Sequence, residues 1–269
     1  MQIPFLNRLL KRGPRVSVIR LHGAIGMAGR SGALSDAALA SVIERAFRKG
    51  KPAAVALSIN SPGGSPVQSS LIAARIRRLA IETDVPVHAF VEDVAASGGY
   101  WLACAGDQIW ADDSSILGSI GVISAGFGFQ DLIGRWGIER RVHTAGRSKS
   151  TLDPFRPENP EDVARLHNVL EPIHTAFKDH VTTRRGDRLS RDRDLFTGEF
   201  WAGREAVALG LADGIGHLVP KMKQIHGDKT RFTVHSPRQS LFRRLGLSAG
   251  TLIDSAAERA AFQRFGAGG

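Results

Sequence analysis

The sequence predicts an α/β domain built on a largely parallel sheet. Two observations carry that reading. Short apolar runs alternate with segments of helical periodicity along most of the chain. Two glycine-rich turns, "SPGG" and "ASGG", fall where strand patterns hand over to helices, which is where parallel sheets gather their sites. A length of 269 residues with 42% apolar content allows one sizeable core or two small ones.

The elements follow in order. "VSVIRLHG" (Val16–Gly23) alternates as a strand. "SDAALASVIERAFRKG" then shows helical periodicity, with Ser35 as cap and Gly50 as stop. "AAVALSIN" (Ala53–Asn60) is a second strand, ended by the "SPGG" turn. Residues Gln68–Ile81 are helical in pattern, and "VPVHAFVE" (Val85–Glu92) is a third strand. The segment around Ser97 opens the next helix. "DQIWA", "IGVIS" and "IERRVHTA" read as three further strands, and Pro160–Arg184 as a long amphipathic helix. Beyond about Ile225 the chain reads as a basic appendage, with a break at "GLSAG" and an amphipathic stretch, "TLIDSAAERAAFQRF". The expected organisation is a basic arm over 1–15, a main domain over 16–225 and the appendage, a C-terminal helical arm, over 226–269.

Composition excludes several classes. The lone cysteine, Cys104, cannot form an intrachain disulfide or a Cys-based zinc site, and its apolar neighbours read as core. The net charge of +10 sits largely at the chain ends and is not interleaved with stacking aromatics, so no nucleic-acid partner is expected. No apolar run approaches the roughly 20 residues that cross a bilayer. "MQIPFLNRLLKR" places its charges after a short apolar stretch, unlike a signal peptide. The expected location is therefore cytoplasmic. Two readings of the arm stay open: peripheral contact with the inner face of an anionic membrane, and an arm that frays or packs on a partner subunit.

The chemistry centres on Ser97 in "DVAASGGYWLA". A serine hydroxyl becomes a nucleophile when a base takes its proton, and acyl transfer also needs donors for the oxyanion. Gly98, after the serine, and Gly63 and Gly64 of "NSPGGS" lack side chains, so their N–H groups can approach a substrate. Each loop also has an ordinary reading, as a good turn or a good N-cap. None of the nine histidines lies in a glycine-rich loop beside an acid that would orient it. Lysine is the other base, and a free amine with a pKa of ~10.4 serves only when its surroundings lower that value. Lys149 in "TAGRSKSTLDPF" is the candidate, although a lone loop lysine is usually solvated.

Five stretches, "NSPGGS", "ASGGYWLA", "ILGSIGVIS", "AGRSKSTLDPF" and "GREAVALGLADGIG", come in an order and spacing that resembles the signal peptide peptidase A family over about Val16–Leu218. The resemblance implies a ClpP/crotonase-like fold of repeated β-β-α units and a serine endopeptidase with a Ser/Lys dyad. It implies Ser97 as nucleophile, Lys149 as general base and Ser119 as the hydroxyl that orients the lysine. It assigns the oxyanion hole to Gly98 and Gly64, with Gly63 as the alternative. No cofactor or metal is implied. The partners it implies are a peptide or protein substrate and further copies of the chain, in a homo-oligomeric ring whose sites are shared between subunits. Expected substrates are remnant signal peptides or other unfolded apolar segments. Many family members carry a membrane anchor and some are tandem duplications, whereas this chain reads as a single unit without an evident anchor. Two other readings remain: a crotonase-like acyl-CoA enzyme, and a non-catalytic membrane-associated oligomeric scaffold.

Overall fold

Eight strands form one sheet in the computed structural model, which describes residues 13–26, 33–236 and 262–265. Strands β1 (Arg15–His22), β2 (Ala54–Ser61) and β3 (Val87–Ala96) are its centre. β4 (Gln108–Ala111), β5 (Ile116–Gly118), β6 (Phe200–Ala202), β7 (Gly214–Ile215) and β8 (Arg231–His235) complete it. The main order is β6-β5-β3-β2-β1-β8, while β4 pairs with both β3 and β7. All pairings are parallel except β5 with β6. The central strands are almost wholly buried, as expected of strands covered on both faces.

The first helices form for local reasons visible in the sequence. In α1 (Asp36–Arg48), Ser35 Oγ accepts from Ala38 N–H at 3.4 Å, Asp36 sits in the first turn, and Arg45 and Arg48 sit in the last. Its apolar stripe buries Leu39, Val42, Ile43, Ala46 and Phe47. In α2 (Pro66–Thr83), Ser65 caps Gln68 N–H at 3.4 Å, and Pro66 opens the first turn where its missing N–H costs nothing. Both helices and α3 (Gly98–Ala103) pack on one sheet face around Ile19, Leu57, Ile59, Ile72 and Ile76. Each fully buried aliphatic side chain there contributes about 1.5–3 kcal/mol. The opposite face holds a smaller cluster of Val16, Val18, Ala56, Phe90 and Trp110, covered by Met222 of α7 (Leu218–His226).

Two of the strands expected from sequence are absent. "IGVIS" leaves the sheet, and the strand ends one step earlier, at Gly118. Gly118 (φ +112°) and Ser119 (φ +53°) turn the backbone out of extended geometry there. "IERRVHTA" pairs with no strand among the described residues, and Ile138 is 59% exposed. Past the buried Ile120, both stretches belong to an arm over residues 121–159 that also carries the short helix α4 (Gln130–Arg135). The expected appendage also begins inside the sheet, because Arg231–His235 pairs with β1 as β8. Most of both terminal arms lies outside the described residues.

The long helix is α5 (Pro160–Arg185), started by Asn159, whose Oδ1 accepts from Glu161 N–H at 3.0 Å. Only Phe177, Val181 and Arg185, all in its second half, are buried. Arg185 is held by Gly210 O at 2.7 and 2.9 Å and by Asp213 Oδ2 at 2.7 Å. The same carboxylate oxygen accepts Ile109 N–H of β4 at 2.7 Å. Burial works to raise the Asp213 carboxyl, but these donors hold it below the usual range. Asp213→Ala would leave a guanidinium buried beside α6 (Gly203–Ala208) without its counter-charge. The expected cost is about 3–5 kcal/mol, read as a lower urea midpoint.

Candidate active site

Strand β3 ends at Ala96 and delivers Ser97 to the carboxyl edge of the sheet. Ser97 has φ +51° and ψ −122°, a conformation that costs a non-glycine residue about 1–3 kcal/mol. The surroundings over-determine it. Ser97 N–H donates to Gly118 O of β5 at 2.8 Å, and Ser97 O accepts from Tyr100 and Trp101 N–H at 2.9 and 3.0 Å. All six residues of α3 are buried, and Tyr100 Oη donates to Leu211 O at 2.9 Å. Ser97 occupies the N-cap position, yet its side chain makes no capping hydrogen bond. The ordinary reading of "ASGG" as a capped helix start therefore fails at the hydroxyl, which no described residue claims.

The "SPGG" turn closes against this serine. Gly63 has φ +99° and lies so near that a Cβ on it would fall 2.8 Å from Ala96 O, Gly98 N and Ser97 Cβ. Its N–H is taken by Ser61 Oγ at 3.2 Å. Ile25, just beyond β1, fastens the turn: Ile25 N–H donates to Gly63 O, and Ser65 N–H donates to Ile25 O, both at 2.8 Å. Between those bonds the N–H of Gly64 has no partner among the described residues, and neither has that of Gly98. The two are neighbours, since a Cβ on Gly98 would lie 3.4 Å from Gly64 N. The structure thus sets two unclaimed donors beside an unclaimed hydroxyl, with Gly63 equally near but its N–H engaged by Ser61 Oγ.

A narrow recess opens there, walled by Pro66, Trp101, Gly121, Val122, Ile173 and Phe177. Trp101 lies between the Phe177 and His180 rings of α5, with centroids 4.8 and 4.9 Å away. Its carbonyl oxygen bonds His180 Nε2 at 3.1 Å. Ser119 follows Gly118, the last residue of β5, which pairs with Ala96 just before Ser97; it is 7% exposed and donates its N–H to Glu199 O at 2.6 Å. Lys149 is not brought to this group. It sits exposed in a turn of the arm, with Lys149 N–H donating to Gly146 O at 3.2 Å and its amine unpartnered among the described residues. Sequence reasoning missed Ile25, Ser61 and the α5 wall. These act through backbone bonds or packing and carry no motif.

The buried thiol of Cys104 is pushed up to about 12 by loss of solvent, so it is protonated and unreactive near neutrality. His88 and His180 are both held below the ordinary histidine value, first by burial and then, for His88, by the nearby His226 ring. Below about pH 6.5 the unfolded chain therefore binds protons that the folded chain resists, and stability falls as pH falls. Urea midpoints measured between pH 8 and 5 are expected to drop on the acid side, and less so in His88→Phe.

Comparisons with known proteins bear on the family and the fold. Residues 80–227, more than half of the chain, match Peptidase family S49. A Brucella abortus protein named Na(+)/H(+) antiporter NhaA is 49% identical over an alignment of 258 residues that covers 92% of this chain and 35% of that protein. The antiporter name thus belongs to a chain most of which is unmatched. Among the described residues of the present chain, no helix is long and apolar enough to cross a membrane. The chloroplastic serine protease SPPA of Arabidopsis thaliana is 31% identical over 212 residues, covering 76% of this chain and 31% of that protein. The chain therefore spans about a third of each of these two relatives. Among solved structures, the 1510-N membrane-bound stomatin-specific protease superposes with a TM-score of 0.50 at 13% identity, over 84% of this chain and 99% of that one. The fold is the ClpP/crotonase-like one, and the chain belongs to peptidase family S49.

Proposed function

We propose that this chain is a serine endopeptidase in which Ser97 attacks the peptide carbonyl and Lys149 accepts its proton. The observation that carries this reading is the strained Ser97, with a free hydroxyl, facing the two unclaimed N–H groups of Gly64 and Gly98. Donors fixed before the reaction stabilise the oxyanion without reorganising. Lys149 then protonates the leaving amine, and water clears the acyl-enzyme. Ser119, at the end of β5, is the hydroxyl that orients the amine.

The exposed position of Lys149 favours a site completed by a second copy. The arm that carries it also presents Ile123, Phe127, Trp136 and Ile138 at 59–80% exposure. Apolar surface of that kind marks an interface. In an assembly the arm of one copy would bring Lys149 to the Ser97 of another, in a closed ring. Burial there favours the neutral amine that can act as a base. The narrow apolar recess beside Ser97 suits extended apolar segments with small side chains, such as remnant signal peptides. Action at the inner face of a membrane is part of the same reading.

The test is hydrolysis of an unfolded apolar peptide by the purified protein. Wild type should cleave it, and Ser97→Ala should not, at unchanged circular dichroism. Equal cleavage by both proteins would sink the proposal.

A further inference from the structure

The corner of the sheet that bears the site is thin. β5 and β6 have three residues each, and among the described residues β6 is held in the sheet by β5 alone. β5 in turn meets β3 only over Val94–Ala96. One face of this corner, with Ala95, Leu117 and Trp201, joins the main core. The other face, with Val94, Ala96, Ile116 and Phe200, lies outside both main clusters. It is covered by a remote piece of the chain, Phe262–Phe265.

That piece is seated on it. Phe265 N–H donates to Phe262 O at 2.9 Å, which closes a turn. The Phe265 ring is 8% exposed and meets Phe200 edge-on, with centroids 5.3 Å apart. Val94, Ala96 and Phe265 are the buried members of this cluster, and Phe262 and Ile116 pack half-buried against it. Val94 and Ala96 are residues of β3 just before Ser97. Phe200 pairs with Gly118, whose carbonyl holds Ser97 N–H and whose neighbour is Ser119.

We propose that Phe265, assisted by Phe262, is a positioning residue for the Ser97 reaction: it clamps the back of β3, β5 and β6 so that Ser97 and Ser119 keep their places. The inference rests on Ser97 being the nucleophile. Phe265 touches neither substrate nor reacting atoms, and it acts through the strands. Displacements of about 1 Å at reacting atoms can cost about a hundredfold in rate.

The test is the rate at which a fluorophosphonate labels Ser97, followed by mass spectrometry, together with kcat and KM for peptide cleavage. Phe265→Ala is expected to slow labelling and lower kcat by about tenfold or more with KM little changed. Phe265→Leu should recover most of the rate. Phe262→Ala, which removes only the half-buried ring, should show a smaller loss and serves if Phe265→Ala does not fold. Labelling of both alanine variants at the wild-type rate would overturn the proposal. So would a reduced labelled fraction at unchanged rate, because the ring would then stabilise the fold without placing the serine. Failure of wild type to label at Ser97 would instead overturn the reading of the nucleophile.

Discussion

Lys149→Ala is expected to lower peptide hydrolysis roughly 10²–10⁴-fold, the range of a lost general base, while leaving the fold intact. The second half follows from the structure. Lys149 lies exposed on the arm with no described partner, so its removal costs no packing within one chain. The structure also supplies a sharper form of the experiment. If the amine comes from a neighbouring copy, Ser97→Ala and Lys149→Ala proteins, each inactive, should regain activity when mixed and reassembled. A mixed interface would join an intact serine to an intact lysine. At equal, random mixing about a quarter of the sites would be whole. No recovery after verified subunit exchange would place both residues of a site on one chain.

Gly98→Ala should be nearly as damaging, for a different reason. Loss of one oxyanion donor costs about 10²–10³ in rate. A Cβ at Gly98 would stand 2.4 Å from Ser69 Oγ, 3.2 Å from Ile25 Cδ1 and 3.4 Å from Gly64 N, crowding the donors out of place. Gly98 has no positive φ, so the backbone itself accepts alanine, and the protein should stay folded. Gly64→Ala should lose stability as well as rate. Its φ is +141°, and its Cβ would fall 1.9 Å from Ile25 O, a backbone atom already bonded to Ser65 N–H. Measuring kcat and the urea midpoint of both variants separates the cases. A Gly98→Ala enzyme with wild-type kcat would remove this glycine from the chemistry.

Much of the fold was legible because burial writes a regular pattern. β1, β2, α1 and α2 carry alternation, stripes, Ser caps and Gly or Pro punctuation, and each forms close to where the sequence places it. The failures share a cause. Ile120–Ser124 and Ile138–Ala145 look like strands because they are apolar or β-branched, but Ile120 is buried in the core without pairing among the described residues, and beyond it Ile123 and Ile138 face outward on the arm. A period-2 pattern reports which residues are apolar, and it does not distinguish a sheet neighbour from an exposed face. β6 and β8 escaped notice because three or five residues at a sheet edge leave almost no periodicity.

The site was legible in part. "SPGG" and "ASGG" announced the two loops, and their convergence follows from β2 and β3 being adjacent parallel strands. Which glycine N–H is left without a partner among the described residues was not legible. It depends on Ser61 Oγ taking the Gly63 N–H and on Ile25 bonding on either side of Gly64. Those are tertiary contacts without a motif. The serine's own role was equally hidden, since an N-cap and a nucleophile share the same sequence. The hydroxyl at φ +51°, which makes no capping hydrogen bond, is the feature on which the proposed nucleophile rests.

The most direct test of the central claim is to treat the purified wild-type protein with a fluorophosphonate and locate the adduct by peptide mass spectrometry. A Ser/Lys mechanism predicts one modified residue, Ser97, and a labelling rate that collapses in Lys149→Ala. An adduct on another residue, or none while peptide is being cleaved, would contradict it.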